Sequence, residues 1–241
     1  MKNYLLFISC LLIFSCNEEK ESADSIIKNA IEYHGGAAYD SVNVEFQFRD
    51  KRYQITQNHG NFKYKRVFVD SLENVLLDIL TNNGLIRHYN DSLVELSAKD
   101  SSAYANSVNS VQYFAMLPQP LSDPAVIASR KKDVSIKQKE YYSIEVKFSE
   151  NNGGEDFEDI FMYWFDKEDY SMDYLAYQYN TDGGGVRFRE AYNSRVIDDI
   201  IFQDYNNFKA SIGTPLIELP TLFEQNKLEL LSKIELEFIN D

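Results

Sequence analysis

Apolar residues recur at every second position through much of this chain. Val42, Val44, Phe46 and Phe48 alternate with Asn43, Glu45, Gln47 and Arg49, and Tyr142, Ile144, Val146 and Phe148 alternate with Ser143, Glu145 and Lys147. Successive side chains of a strand point to opposite faces, so each run reads as a strand with one buried face. Turn signals separate the runs: Asn58-His59-Gly60-Asn61, Asn82-Asn83-Gly84 and Thr181-Asp182-Gly183-Gly184-Gly185. Short turns join antiparallel neighbours, because a parallel pair needs a crossover of a dozen residues or more. Further strands are predicted within 53–96, over 170–180, 186–197 and 199–209, and near 234–239. The run 157–166 (FEDIFMYWFD) is apolar on both faces and predicts a central strand covered on both sides.

Helical spacing interrupts this pattern. Ile26, Ile27, Ala30, Ile31 and His34 form one stripe, with Asp24 or Ser25 as cap and Gly35-Gly36 as the stop. Ser101 or Ser102 caps a second helix bearing Tyr104, Val108, Val111 and Ala115, which Pro118 ends. Asp123-Pro124 predicts a short helix over 124–130, and TLFEQNKLELL (221–231) a further one. The order is helix, strands, two helices, strands. It lacks the strand–helix alternation of a (β/α)₈ barrel, which argues against an aldolase of that architecture. The chain reads as an α+β protein, a curved antiparallel sheet with helices on one face.

The N-terminus carries an address. Lys2 precedes an apolar run, Leu5 to Phe14, which is shorter than the roughly 20 residues a membrane span needs. It fits a signal peptide over 1–15. Ile13-Phe14-Ser15-Cys16 resembles a bacterial lipobox, an aliphatic residue three before Cys and a small one directly before it. The resemblance implies cleavage before Cys16, acylation of its thiol and amine, and anchoring to a membrane. The alternative is an ordinary signal peptide with an incidental Cys. Cys10 and Cys16 are the only cysteines, so the processed chain has no disulfide, thiolate metal site or cysteine nucleophile. Residues 16–22 then form the lipidated Cys and a polar tether, and 23–241 a single domain. Acidic residues after the Cys resemble a surface-export signal of some Gram-negative lipoproteins; a plain acidic linker reads equally well. The expected location is the cell envelope, on the periplasmic or outer face of the outer membrane.

Composition removes one class of partner. Asp plus Glu number 38 against 24 Lys plus Arg, a net charge of −14, and such a surface repels nucleic-acid phosphates. A monomer is expected. No phosphate-loop, dinucleotide, nucleophile-elbow or H-E-x-x-H motif occurs. His34, His59 and His88 have no ligand-spaced partners. No catalytic residue, metal or cofactor is therefore assigned. Glu155, Asp156, Glu158 and Asp159 flank Gly153-Gly154 but do not match the twelve-residue calcium loop, and read as a solvated face.

Several charges fall in apolar registers. Arg66 shares the face of Tyr64 and Phe68, Asp159 that of Phe161 and Tyr163, and Asp173 that of Leu175 and Tyr177, while Arg187 and Arg189 oppose Val186 and Phe188. A buried charge must be paired or must line a cavity. Either these groups pair internally, Asp159 or Asp173 with Arg187 or Arg189, or they form a patch that orients a ligand head group. The 17 Tyr and 16 Phe fit both a filled and a hollow interior.

The segments EYHGG (32–36), NSVQYFAMLPQPLSDPAV (109–126), GGEDFEDIFMYW (153–164) and MDYLAYQYNTDGGGVRFREAYNSRV (172–196) resemble a family of uncharacterised lipoproteins of Bacteroidetes-type bacteria. That family shares the fold of the lipoprotein-carrier (LolA/LolB-like) superfamily. The resemblance implies an unclosed antiparallel half-barrel, here of about nine to eleven strands, with an N-terminal helix and two or three helices covering the concave face. It also implies a lipid or acyl-chain ligand in the concavity and no catalytic residues. The expected lining is Phe46, Phe48, Tyr64, Phe68, Phe161, Tyr163, Tyr177 and Phe188, with Tyr113 and Phe114 on the covering helix. A structural or assembly lipoprotein with a filled core is the competing expectation. An enzyme working through Asp159 or Asp173 is a third.

Overall fold

The computed structural model describes residues 20–149 and 159–239. The signal segment 1–15, Cys16, and the acids Glu155, Asp156 and Glu158 lie outside the described residues.

Helix α1 (Ala23–His34) begins two or three residues earlier than its sequence signals suggest. Ser22 is its cap, and the Ser22 hydroxyl accepts the Ser25 N–H at 3.2 Å. Glu21 is tied down as well: its carboxylate accepts bonds from Ser25, Asn29 and Tyr170, and its carbonyl one from Arg130 at 2.6 Å. The tether expected over 16–22 therefore ends before Glu21. Gly35 closes the helix where a Cβ would meet Ile200 Cγ1 at 3.0 Å.

Six strands follow: β1 (Ser41–Phe48), β2 (Lys51–Asn58), β3 (Asn61–Val69), β4 (Val75–Thr81), β5 (Gly84–Tyr89) and β6 (Ser92–Val94). Helix α2 (Ala98–Ala115) comes next, capped by Ser97. The second half contains β7 (Val126–Arg130), β8 (Val134–Ile136), β9 (Lys139–Phe148), β10 (Ile160–Asp166), β11 (Met172–Tyr179), β12 (Gly185–Ile197) and β13 (Ile200–Ala210). Then come α3 (Leu219–Glu224), β14 (Glu229–Ile234) and β15 (Glu237–Phe238). The helix expected over 124–130 is instead β7. Asp123 turns the chain by accepting the Ala125 N–H at 2.7 Å, and Val126 to Arg130 then pair with Phe148 to Ile144 of β9. Branched Val126 and Ile127 gain more from that ladder than from a short helix.

Two antiparallel sheets result. The first has seven strands in the order β15-β1-β2-β3-β4-β5-β6, and the second has eight, β14-β13-β12-β11-β10-β9-β7 with β8 beside β9. The strands described thus number fifteen rather than nine to eleven. The excess lies in elements such as β6, β8 and β15, of two or three residues, too short to show alternation.

The chain passes directly from β14 in the second sheet to β15 in the first. Asp204 locks this seam by accepting the Leu236 N–H at 2.9 Å and Arg195 at 3.0 Å, and Phe202 packs on Phe238 with ring centroids 4.7 Å apart. The opposite side is open. There α2 runs from β6, the last strand of one sheet, towards β7, the last strand of the other. The structure is an unclosed half-barrel.

Two hydrophobic clusters hold it together. The inner cluster lies between the sheets and includes Ile26, Ile27 and Ala30 of α1 and Val108, Val111 and Ala115 of α2. The outer cluster lies behind the second sheet, where Trp164, Tyr174 and Phe188 pack on Leu219 and Phe223 of α3. So α1 and α2 serve the concave face, and α3 covers the convex one. Strand β10 is buried on both sides, with Tyr163 and Phe165 inward and Met162 and Trp164 outward.

Candidate functional site

The covering helix is docked by charge at one end and by aromatic rings at the other. At its first half, Arg66 and Arg87 share the fully buried carboxylate of Asp78, at 2.6 Å each. The remaining Arg66 Nη donates to Ser107 of α2 at 2.6 Å, and Arg87 lies 3.5 Å over the ring of Tyr104. Phe68 is half-buried against these cations and is not part of the inner cluster. Asp78 and Arg87 are missing from the sequence expectations. Their signal was a lone acid in Val75–Leu80 (VLLDIL), in the same register as Arg66.

At the second half, Phe114 packs on Phe48 of the first sheet at 5.2 Å, and Tyr113 on Phe148 of the second at 6.2 Å. Rings continue along the wall, Phe148 to Phe161 at 5.7 Å and Phe161 to Tyr177 at 5.9 Å. The register explains this wall. Val146, Phe161, Tyr177 and Arg187 oppose one another across β9 to β12, and Ile144, Tyr163, Leu175, Arg189 and Asn207 do so across β9 to β13. Opposed residues share a face.

Phe46, Phe48, Tyr64 and Tyr163 thus belong to the buried inner cluster, with Tyr113, Phe114, Phe161 and Tyr177 packed against it. Phe188 does not. It opposes Ala176 and sits in the outer cluster, 5.6 Å from Trp164 and 5.1 Å from Phe223. Its neighbours Arg187 and Arg189 take the concave face, because side chains alternate along β12. Asp173 is displaced by a bulge: Trp164 opposes Tyr174 while Phe165 opposes Met172, leaving Asp173 as the extra residue. Its carboxylate accepts bonds from Tyr141 at 2.8 Å and Ser171 at 3.0 Å, and lies 3.8 Å from Lys139. Asp159 is buried at the mouth of β10.

Asp173 is engaged by Tyr141, Ser171 and Lys139 rather than by Arg187 or Arg189. Arg187 donates to the Tyr179 hydroxyl at 2.6 Å, and Arg189 to the Tyr177 hydroxyl at 3.1 Å. The Arg189 guanidinium lies between the rings of Phe114 and Tyr177, at 5.6 and 5.1 Å. Its Nε is buried without a hydrogen-bond partner, as are the Tyr113 hydroxyl and Asn207 Oδ1. The Tyr113 hydroxyl approaches that of Tyr163 without reaching bonding geometry. Burial pushes the Tyr163 and Tyr205 hydroxyls above the ordinary tyrosine range, and the positive charge of Arg189 opposes part of that shift in both.

Side chains of the inner cluster pack beneath α2. Two clefts, of about 530 and 410 Å³, lie elsewhere. The first is between α1 and residues 119–126, and the second between Lys137 and α3. Among the described residues no group of His, Cys, Asp and Glu side chains is placed to hold a metal, and no helix is long and apolar enough to cross a membrane.

Two antiparallel sheets joined along one seam and spanned by a helix on the open side define the LolA-superfamily fold. The crystal structure of a LolA-superfamily protein of Nitrosomonas europaea aligns over 91% of this chain and 92% of its own, with 11% identity and a TM-score of 0.50. A Vibrio parahaemolyticus domain described as outer membrane lipoprotein-sorting aligns over 90% and 92%, with 11% identity and a TM-score of 0.46. The lipoprotein LppX of Mycobacterium tuberculosis aligns over 67% and 91%, with 11% identity and a TM-score of 0.31. The chain belongs to a family of unknown function, DUF6503, whose model matches residues 2–236. No curated protein matches it by sequence.

Proposed function

We propose that this protein is a non-enzymatic lipoprotein of the cell envelope, anchored through Cys16, that binds an acyl chain or lipid between its two sheets. The observation that supports this most is the asymmetry of the lid. Helix α2 buries Val108, Val111, Gln112 and Ala115, plus two terminal rings, whereas the wall beneath it is aromatic. Lifting α2 exposes that wall at modest cost. Each ligand methylene buried in its place returns about 0.8 kcal/mol. Binding is therefore an exchange of α2 contacts for ligand contacts, and the closed form is the empty one. The packed inner cluster also suits the second reading, a structural or assembly lipoprotein acting through its outer surface. Native mass spectrometry of the mature chain, purified gently from cells with Cys16→Ser, separates the two. A bound lipid that is lost on organic extraction supports the carrier reading. A bare mass, with no uptake of the neutral probe N-phenyl-1-naphthylamine, removes it. Cys16→Ser is itself expected to move the protein from the membrane to the soluble fraction.

A further inference from the structure

We infer that the outward face of the first sheet, over β3 to β6, docks on an anionic lipid bilayer. This does not depend on the acyl-binding reading, which concerns the opposite face. Register divides the two faces. Arg66, Asp78 and Arg87 oppose one another across β3, β4 and β5 and point to α2. The residues between them point the other way. Val67, Leu77, His88 and Leu93 form one cross-strand row, and Lys65, Ile79 and Ile86 the next. Ile86 and Leu93 are 47% and 68% exposed, while Val67, Leu77 and Ile79 are half-buried and belong to neither hydrophobic cluster. The outward face of the second sheet carries Trp164 and Phe188, and α3 covers them. None of α1, α2 and α3 does this for the first sheet, since α1 and α2 serve the inner cluster and α3 the second sheet. An uncovered aliphatic patch of this kind marks a contact surface.

The chemistry of the patch selects its partner. The chain carries 38 acidic residues against 24 basic ones, yet the outward positions of β3 to β6 hold Lys63, Lys65 and His88 and no acid. On β1 and β2 beside them, Glu45 is matched by Arg52. A chain of net charge −14 is repelled by an anionic surface, so contact requires a face from which acids are missing. Contacts between proteins favour aromatic rings, methionine and arginine, and disfavour lysine. The outward positions of β3 to β6 have no aromatic ring, methionine or arginine; their apolar groups are aliphatic and their charges are lysines. That pairing suits a lipid surface, where aliphatic groups enter the headgroup boundary and lysines reach phosphate oxygens. Neither cleft opens on this face, so it offers a broad surface and not a pocket.

The test uses the mature chain carrying Cys16→Ser, so that no acyl anchor contributes. It is sedimented with vesicles of phosphatidylglycerol and phosphatidylethanolamine, or of phosphatidylcholine alone. Binding to the anionic vesicles is expected to be at least about tenfold stronger than to the neutral ones, and to weaken as salt is raised. Lys63→Gln combined with Lys65→Gln is expected to lower it by about tenfold or more, each lysine near such a surface being worth about fivefold. Leu93→Asp is expected to abolish it, with the thermal melt and the uptake of N-phenyl-1-naphthylamine unchanged. Ile212→Asp, at an exposed apolar residue outside the patch, should leave it intact. Should Leu93→Asp lower the melt, Ile86→Ser takes its place. Equal binding to both vesicles, or anionic binding that survives Leu93→Asp, overturns the inference. Binding to neither overturns it too and leaves the face to an acidic protein. A concentration-dependent dimer that Leu93→Asp abolishes assigns the face to a second copy and likewise overturns it. None of these results touches the acyl-binding reading, which probe uptake reports separately.

Discussion

His34 is a polar side chain buried completely at the end of α1. Its Nε2 accepts the Met172 N–H at 3.1 Å, so the proton sits on Nδ1, which faces the Ile201 carbonyl without a well-formed bond. Burial lowers its pKa to about 4, with the Ile201 carbonyl and Asp169 opposing weakly. In the unfolded chain the group titrates near 6.5. Between those values the unfolded state binds the extra proton, so stability is full above pH 6.5 and falls as pH drops towards 4. The loss approaches about 3 kcal/mol. Urea unfolding of the parent and of His34→Gln at pH 7 and pH 4.5 checks this: the parent should lose more stability than the variant. Sequence placed His34 on the apolar stripe of the helix correctly, because helical spacing alone decides the face. It gave no sign of Met172, 138 residues away.

At the scale of elements, α2 is the part whose attachment carries the functional reading. Its spacing was legible, since Val108, Val111 and Ala115 repeat at helical intervals and Pro118 follows. Its docking was not, because Asp78 and Arg87 lie on strands that only the sheet brings beneath it. Asp78→Asn leaves two buried guanidinium groups without a carboxylate and is expected to cost about 3–5 kcal/mol. Amide exchange measured by mass spectrometry should then rise first in 98–115, ahead of β10 to β12. Uniform acceleration across the sheets would mean that the cluster supports the whole first sheet and not the helix. β7 shows the complementary limit. Asp123-Pro124 is a sound local helix start, yet the free edge of β9 offered a ladder that no local signal announces.

For the whole molecule, the decisive feature is that the second sheet is apolar on both faces. Phe188 belongs to the outer cluster, so Phe188→Ala is expected to cost about 3–5 kcal/mol and to leave binding of the neutral probe unchanged. Phe161→Ala, on the inner wall, should weaken probe binding at a smaller loss of stability. Chemical denaturation and probe titration of the two variants together check the assignment of faces. Loss of binding in Phe188→Ala with an intact melt would reverse it.

The sequence by itself determined the helical stripe of α1, the antiparallel sense of the strands, and which residues of β12 share a face. All three follow from periodicity and turn chemistry over a few residues. It also carried the parity that sets Arg187 and Arg189 opposite Phe188. Tertiary structure decided which of those faces looks inward, because a strand apolar on both sides satisfies either choice until a partner covers each. It placed α3 on the convex face, turned 126–130 into an edge strand and inserted the bulge that removes Asp173 from the concave register. It also paired Asp173 with Tyr141 and Lys139, since pairing between charges depends on distances across strands and not along the chain.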